Sequence, residues 1–297
     1  MKSINPKSLS IKERHGLLLG SIGPRPIAWV STIDEKGVPN LAPFSFFNIF
    51  SSNPPILIFS PARSGRTNRT KHTYDNSKTR PEAVVNIVNH ELLDRMVLTS
   101  LEYDKEVNEF ERAGLTMLDS IKVKPPRVAE SPVQLECKVL EVKELGLEGA
   151  AGNLIICEVV MMHFNDSILT EEGRIDQEKI DLIGRLGGAW YSRASGDALF
   201  EVRSNPMNTV VGYGSLPEFI SNSPDISAKE LKSLINAGEL PDETEVNDFK
   251  LEKLAEIFSE YQENPGDLQK RLVEKAKEYL RKEELDNAWR TILAYNP

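Results

Sequence analysis

At 297 residues, 40% hydrophobic and 27% charged, the chain has room for one large soluble domain or a domain with an extension; it holds no apolar run fit to span a membrane and no charged-then-apolar signal at its start. The net charge of −9 argues against a general nucleic-acid-binding face, and it is uneven: residues 239–297 hold 15 acids against 9 bases, or −6, leaving −3 for residues 1–238. Two cysteines, Cys137 and Cys157, suit a reducing compartment, so a cytoplasmic protein is expected.

Residues 1–24 read as a lead-in with a short helical turn near Ile11–Leu19. Strand-like runs follow at 26–33, 38–49 and 55–60. The polar tetrad Asp34-Glu35-Lys36-Gly37 separates the first two and marks a hairpin. The spacing then predicts a short helix over Thr67–Asn76, a strand over Ala83–Val88 and a helix over Asn89–Leu101 with Leu92, Leu93, Met96 and Val97 on one side. A helical turn at Glu109–Ala113 precedes Gly114. Two long strands are expected at 133–144 and 153–164, joined by the Gly-rich loop LGLEGAAGN. Each cysteine lies in the apolar phase of one of these strands, as a buried inert thiol, with a redox pair as the alternative. Many strands with few helices suggest an antiparallel barrel.

The pattern changes after about residue 204. Ser227 and Glu230 form a capping box with Ile226 and Leu231 placed as a hydrophobic staple. Leu231, Leu234 and Ile235 continue as a helical stripe, and Gly238 offers a stop. A second helix is expected near 246–262. A third, capped by Asp267, carries Leu268, Leu272 and Ala276 and can continue to Trp289 and Leu293. These helices show no chemistry of their own; packing is the plain reading, and a lid or partner-docking surface the other. Two domains are therefore expected, 1–204 and a helical extension over 205–297.

Within this acidic chain, RSGRTNRTK stands out. Arg63, Arg66, Arg69 and Lys71 fall within nine residues free of acids, interleaved with Ser64, Thr67 and Thr70. Arginine grips phosphate bidentately, and a helix beginning at Thr67 would aim its first N–H groups at an anion. Taken alone the stretch also reads as a solvated basic loop. Following the hairpin, it is a candidate holder for a phosphorylated aromatic cofactor.

The motifs PRPIAWVST at 24–32, NLAPFSFFN at 40–48, NPP at 53–55, NEFERAGL at 108–115, KPPRVAESPVQLECKV at 124–139 and GRLGGAWY at 184–191 occur in an order and spacing that resemble the flavin reductase-like family. The resemblance covers roughly residues 20–195. It implies a mainly β protein, an FMN-binding split β-barrel, here with a C-terminal α-helical extension, and a homodimer with the flavin at its interface. FMN needs charge and donors for its phosphate, donors along its ring edge and apolar packing on its faces. For the phosphate, Arg66 and Thr67 come first, with Lys71 in the same loop and Ser45 as an extra donor. For the ring, the resemblance implies the strand Trp29, Val30, Ser31, Thr32 and its partner Ala42, Pro43, Phe44; Trp29 and Phe44 serve equally well as core aromatics. His163 could touch the nicotinamide or the flavin rim, although a lone histidine has little specificity. Arg185 and Tyr191 lie in a segment that the resemblance puts near the cofactor, and a structural turn explains them as well.

Other templates fail. There is no G-x-S-x-G elbow, no Walker pattern and no dinucleotide fingerprint around Gly184, Gly187 and Gly188, and the absence of Cys-x-x-Cys and His-x-x-x-His spacings leaves no metal site to expect. The expected activity is hydride transfer from NADH or NADPH to the flavin, with electrons passed on to a second acceptor. Its rivals are a flavoredoxin-like electron carrier and a non-catalytic interaction protein.

Overall fold

The computed structural model describes residues 1–201, 210–261 and 263–295 and forms two compact units, Met1–Phe200 and Glu201–Pro297. The boundary expected at residue 204 lies outside the described residues. In the first unit, helix α1 (Ile11–Ser21) precedes strands β1 (Ala28–Ile33), β2 (Pro39–Phe44), β3 (Phe47–Ser52) and β4 (Pro55–Phe59). Helix α2 (His72–Thr79), strand β5 (Glu82–Ile87) and the short helices α3 (Leu93–Leu98) and α4 (Glu109–Arg112) follow. Then come β6 (Met117–Leu118), β7 (Arg127–Val128), the long pair β8 (Val133–Glu144) and β9 (Asn153–Phe164), and the hairpin β10 (Ile183–Arg185) and β11 (Tyr191–Arg193).

Seven strands form one antiparallel sheet in the order β2-β1-β5-β8-β9-β4-β3. Strand β1 is buried along its whole length because the sheet has a core on each face. Ala28 and Val30 pack with Leu57, Phe59, Val85 and Ile155. Trp29, of opposite parity, packs with Leu41, Met96, Phe110 and Val128. Phe44 of β2 stacks on Phe59 of β4 with ring centroids 5.9 Å apart, and Phe47 of β3 joins the same cluster. The two ends of the sheet thus meet over one interior core, which is the curl of a split barrel. It also explains why the single strand expected over 38–49 is two: the chain bends at Ser45-Phe46, β2 pairing with β1 and β3 with β4, at opposite ends of the sheet.

Several local features follow from the sequence. Asp34 closes the first hairpin by accepting the N–H groups of Lys36 (2.8 Å) and Val38 (2.9 Å), and Gly37 takes the φ of 86° that the turn requires. Helix α1 is longer than the expected turn, since Ser10 and Glu13 form a reciprocal capping box. Its far end is held by the buried Arg25, which donates to the carbonyls of Leu19 (2.9 Å), Ile22 and Leu186 (3.0 Å). The helix expected over 89–101 is a 3-10 turn, His90–Leu92, leading into α3. The helix expected from Thr67 begins only at His72, because Asn68 adopts a left-handed φ of 55° and its N–H closes a turn onto the Ser64 carbonyl at 2.9 Å.

The second unit holds α5 (Glu218–Ser221), α6 (Ala228–Ile235), α7 (Glu243–Lys253), α8 (Ala255–Tyr261), α9 (Pro265–Arg281) and α10 (Leu285–Leu293). The Ser227–Glu230 capping box is present, and Ile226 and Leu231 share the apolar cluster of Leu234, Trp289 and Ile292. The third helix starts earlier than expected: Asn264 caps it by accepting the Asp267 N–H, with Pro265 in the first turn. It does not run on to Trp289, since Glu283 is left-handed (φ 60°) and α10 starts afresh. The helix expected over 246–262 is likewise divided, at Leu254, into α7 and α8.

One buried charge ties the first unit together. Glu136 of β8 accepts the N–H groups of Ile121 (2.8 Å), Lys122 (2.5 Å) and Val123 (3.2 Å), and His163 Nε2 lies 2.7 Å from Glu136 Oε1. Burial alone would raise the Glu136 pKa, but the donors outweigh it and hold the group below the ordinary 4.5. Glu136→Gln should cost roughly 2–3 kcal/mol at neutral pH, the scale of hydrogen bonds to a charged group. A carboxylate with a depressed folded pKa gives stability present above its unfolded value, about 4.5, and lost as pH falls through the folded one. Urea melts should therefore show the gap between wild type and variant shrinking below pH 4.5; a gap constant with pH would contradict this role.

Candidate functional site

A cavity of about 380 Å³ opens in the first unit along the outer edge of β2. It falls within the usual size of small-molecule sites, roughly 300–1,000 Å³. The edge position matters. Leu41 directs its N–H away from β1 to Glu109 Oε2 at 3.1 Å, and Pro39 and Pro43 share its parity, so their missing N–H groups fall on the outer side and remove no ladder bond. Ala42, Pro43, Phe44 and Ser45 line the cavity from this edge. Glu109 also lines it; burial raises its pKa, and the Leu41 N–H opposes the rise.

The basic loop lines the same cavity with Ser64, Thr67, Arg69, Thr70 and Lys71. It is pinned from behind by the β8–β9 hairpin: Arg63 N–H donates to the Ala151 carbonyl (2.9 Å) and Ala150 N–H to that of Arg63 (3.2 Å). A Cβ on Gly149 would come within 3.3 Å of the Ser64 carbonyl, so glycine lets the two loops touch. Ser60 Oγ accepts the N–H of Asn153 at 3.0 Å, and Asn153 Nδ2 donates to the Pro61 carbonyl at 2.9 Å. Helix α2 enters the cavity wall by its N-terminus, at His72 and Thr73, and its cap position is Lys71, which supplies no side-chain acceptor. First-turn N–H groups without a capping side chain suit an anion.

Two further elements complete the lining. Helix α1 contributes His15 and Leu19, and the segment after α3 contributes Thr99 to Tyr103. Thr99 is fixed by the indole N–H of Trp29, which donates to its Oγ1 at 2.8 Å. Glu102 bonds Lys71 Nζ at 3.0 Å; its carboxylate pKa is pulled down first by Lys71 and to a smaller extent by Arg66 and Arg69.

Of the residues singled out in the sequence, the structure gathers Ala42, Pro43, Phe44, Ser45, Thr67 and Lys71 around the cavity. Arg66 is exposed and outside the lining, whereas Arg69 is within it. Arg63 is committed to Asn68, donating to its side-chain and main-chain oxygens at 2.8 Å each. Trp29 and Val30 belong to the two cores. Ser31 donates to the Pro126 carbonyl, and Thr32 Oγ1 accepts from Asn76 Nδ2 at 3.0 Å. His163 stands beside Glu136, and the Arg185 guanidinium lies 4.4 Å from the Tyr191 ring centroid while donating to Trp190 and Gly188 carbonyls. Glu109 lies in the NEFERAGL motif, which by itself gives it no role, and nothing in the sequence ties Glu102 to Lys71.

Comparison with known proteins agrees with this architecture. A family model described as flavin reductase like domain matches residues 20–178, all in the first unit. Among solved structures, nitrilotriacetate monooxygenase component B from Bacillus cereus is 34% identical with a TM-score of 0.63, covering 68% of this chain and 98% of that one. The Pseudomonas fluorescens 2-nitrobenzoate 2-nitroreductase NbaA is 28% identical (TM-score 0.59, 68% and 96% covered). A putative flavin reductase with a split barrel domain from Shewanella frigidimarina is 25% identical (TM-score 0.57, 67% and 96% covered). With a match over more than half of its length, carried by a sheet that curls in the split-barrel manner, the chain belongs to the flavin reductase-like family.

Proposed function

We propose that this protein is an FMN-dependent oxidoreductase that takes hydride from NADH or NADPH and passes the electrons to a second acceptor. The observation that carries the reading is the cavity, whose lining joins the small and apolar edge of β2 to a cationic loop and a helix N-terminus without a side-chain cap. Arg69, Lys71 and Thr67, with the first N–H groups of α2, are the donors for the phosphate. Ala42, Pro43 and Phe44 provide the apolar wall for the ring, and Ser45 a hydroxyl beside it. FMN held by these residues would supply the two-electron chemistry. The protein's share is to bind, orient and exclude water, with the 99–103 segment shielding one side of the cavity. Nicotinamide binding is transient, because the chain carries no nucleotide fingerprint.

The working form in this reading is a homodimer in the cytoplasm. No residue of α1 is buried, and Leu17, Leu18 and Ile22 are each more than half exposed, as are Ile49 and Phe50 of β3, which leaves apolar surface for a second copy. The first unit carries the reaction, and the helical unit is an addition to it.

Two measurements test the function. Arg69→Ala should weaken FMN binding by about 1.5–3 kcal/mol, the worth of a hydrogen bond to a charged group, whereas Arg66→Ala should cost less than about 0.5 kcal/mol; titration by quenching of flavin fluorescence reads both, and the reverse ranking would move the phosphate elsewhere. Anaerobic addition of NADH or NADPH to the FMN-loaded protein should bleach the flavin absorbance, and an added acceptor should restore it. Bleaching by dithionite alone would replace the reductase reading with that of an electron carrier.

A further inference from the structure

The cavity contains an arrangement that phosphate binding does not explain: a carboxylate among the cations. Glu102 lines the same wall as Lys71 and bonds its Nζ at 3.0 Å, while Arg66 and Arg69 also lower its pKa. A fixed negative charge here opposes any anionic ligand. The contact is also weakly held. The side chains are 58% and 36% exposed for Glu102 and Lys71, and exposed ion pairs are worth about 0–1 kcal/mol.

The segment carrying Glu102 is built to let go of it. Residues 99–107 join α3 to α4 without helix or strand. Both ends are fixed, at one by the Trp29–Thr99 bond and at the other by Asn108, whose side chain accepts the Phe110 N–H at 3.1 Å. Between them, two ion pairs tie the segment to the barrel: Glu102 to Lys71, and Lys105 to Asp34 at 3.7 Å. Release of Glu102 from Lys71 therefore leaves the second tether and both anchors in place.

We infer that Glu102 is a displaceable counter-ion of the anion site, holding Lys71 until a ligand phosphate takes its place. This rests on the reading of the cavity as an FMN phosphate site. The carboxylate sets a threshold: a ligand must bring enough negative charge to displace it from Lys71, so Glu102 lowers affinity for the phosphorylated flavin while leaving the uncharged part of the molecule unaffected. The exchange swaps one charge-assisted bond for another and needs no change in the barrel.

FMN and riboflavin, which differ by the phosphate, separate this from other roles. Fluorescence titrations of the full-length Glu102→Gln variant should give FMN binding roughly 2- to 5-fold tighter than wild type, the scale of an exposed ion pair, with riboflavin unchanged. In the Lys71→Gln background the gain from Glu102→Gln should shrink, as a double-mutant cycle requires of a coupled pair. Equal or weaker FMN binding by Glu102→Gln, or a gain that persists in full without Lys71, overturns the exchange. Should wild type fail to prefer FMN to riboflavin, the phosphate-site reading falls and the exchange with it. If wild type does prefer FMN and only the Glu102 effect is missing, the inference fails alone.

Discussion

An edge strand must do something with the backbone groups that find no partner, and the cavity of this protein is built on such an edge. On β2 the outward N–H positions are those of Pro39, Leu41 and Pro43; two have no hydrogen to offer, and the third is bonded to Glu109. That leaves the edge without free donors that would recruit another strand. A groove can then exist beside it, bounded by Ala42, Phe44 and Ser45. The curl of the sheet depends on the same strand, because the stacking of Phe44 on Phe59 draws one end of the sheet over the other.

The electrostatics obey a similar division. A chain of net charge −9 sets Arg63, Arg66, Arg69 and Lys71 in one nine-residue loop free of acids and backs that loop with the β8–β9 hairpin. Arg63 is spent on holding Asn68, which shapes the loop, and Arg69 and Lys71 are left to face the cavity.

How far the sequence carried depended on the range of the interaction. Strands β8 and β9 were readable to the residue because two-residue alternation is local and long. The Ser227–Glu230 box is legible because S-x-x-E is confined to four residues, and the Ser10–Glu13 box of α1 carries the same signal. The break of 38–49 into two strands was not readable, since it is set by pairing with β1 and β4 at opposite ends of the sheet. The basic loop could be recognised as a unit. That Arg69 lines the cavity and Arg66 does not is a matter of how the loop folds back on its neighbours, and the Glu102–Lys71 pair spans 31 positions of sequence, so neither leaves a periodic trace.

The sulfur content of the molecule has a consequence for its chemical durability. Cys137 and Cys157 are the chain's two cysteines, both are unpaired, and both are sealed inside the curled sheet, where burial pushes the Cys137 thiol up to about 12 and that of Cys157 well above its ordinary value. Oxidation and exchange proceed through an accessible thiolate, and neither residue offers one in the folded state. A flavin-related oxidoreductase is in this way left without a reactive thiol, and oxidation of its cysteines waits on the opening of the barrel.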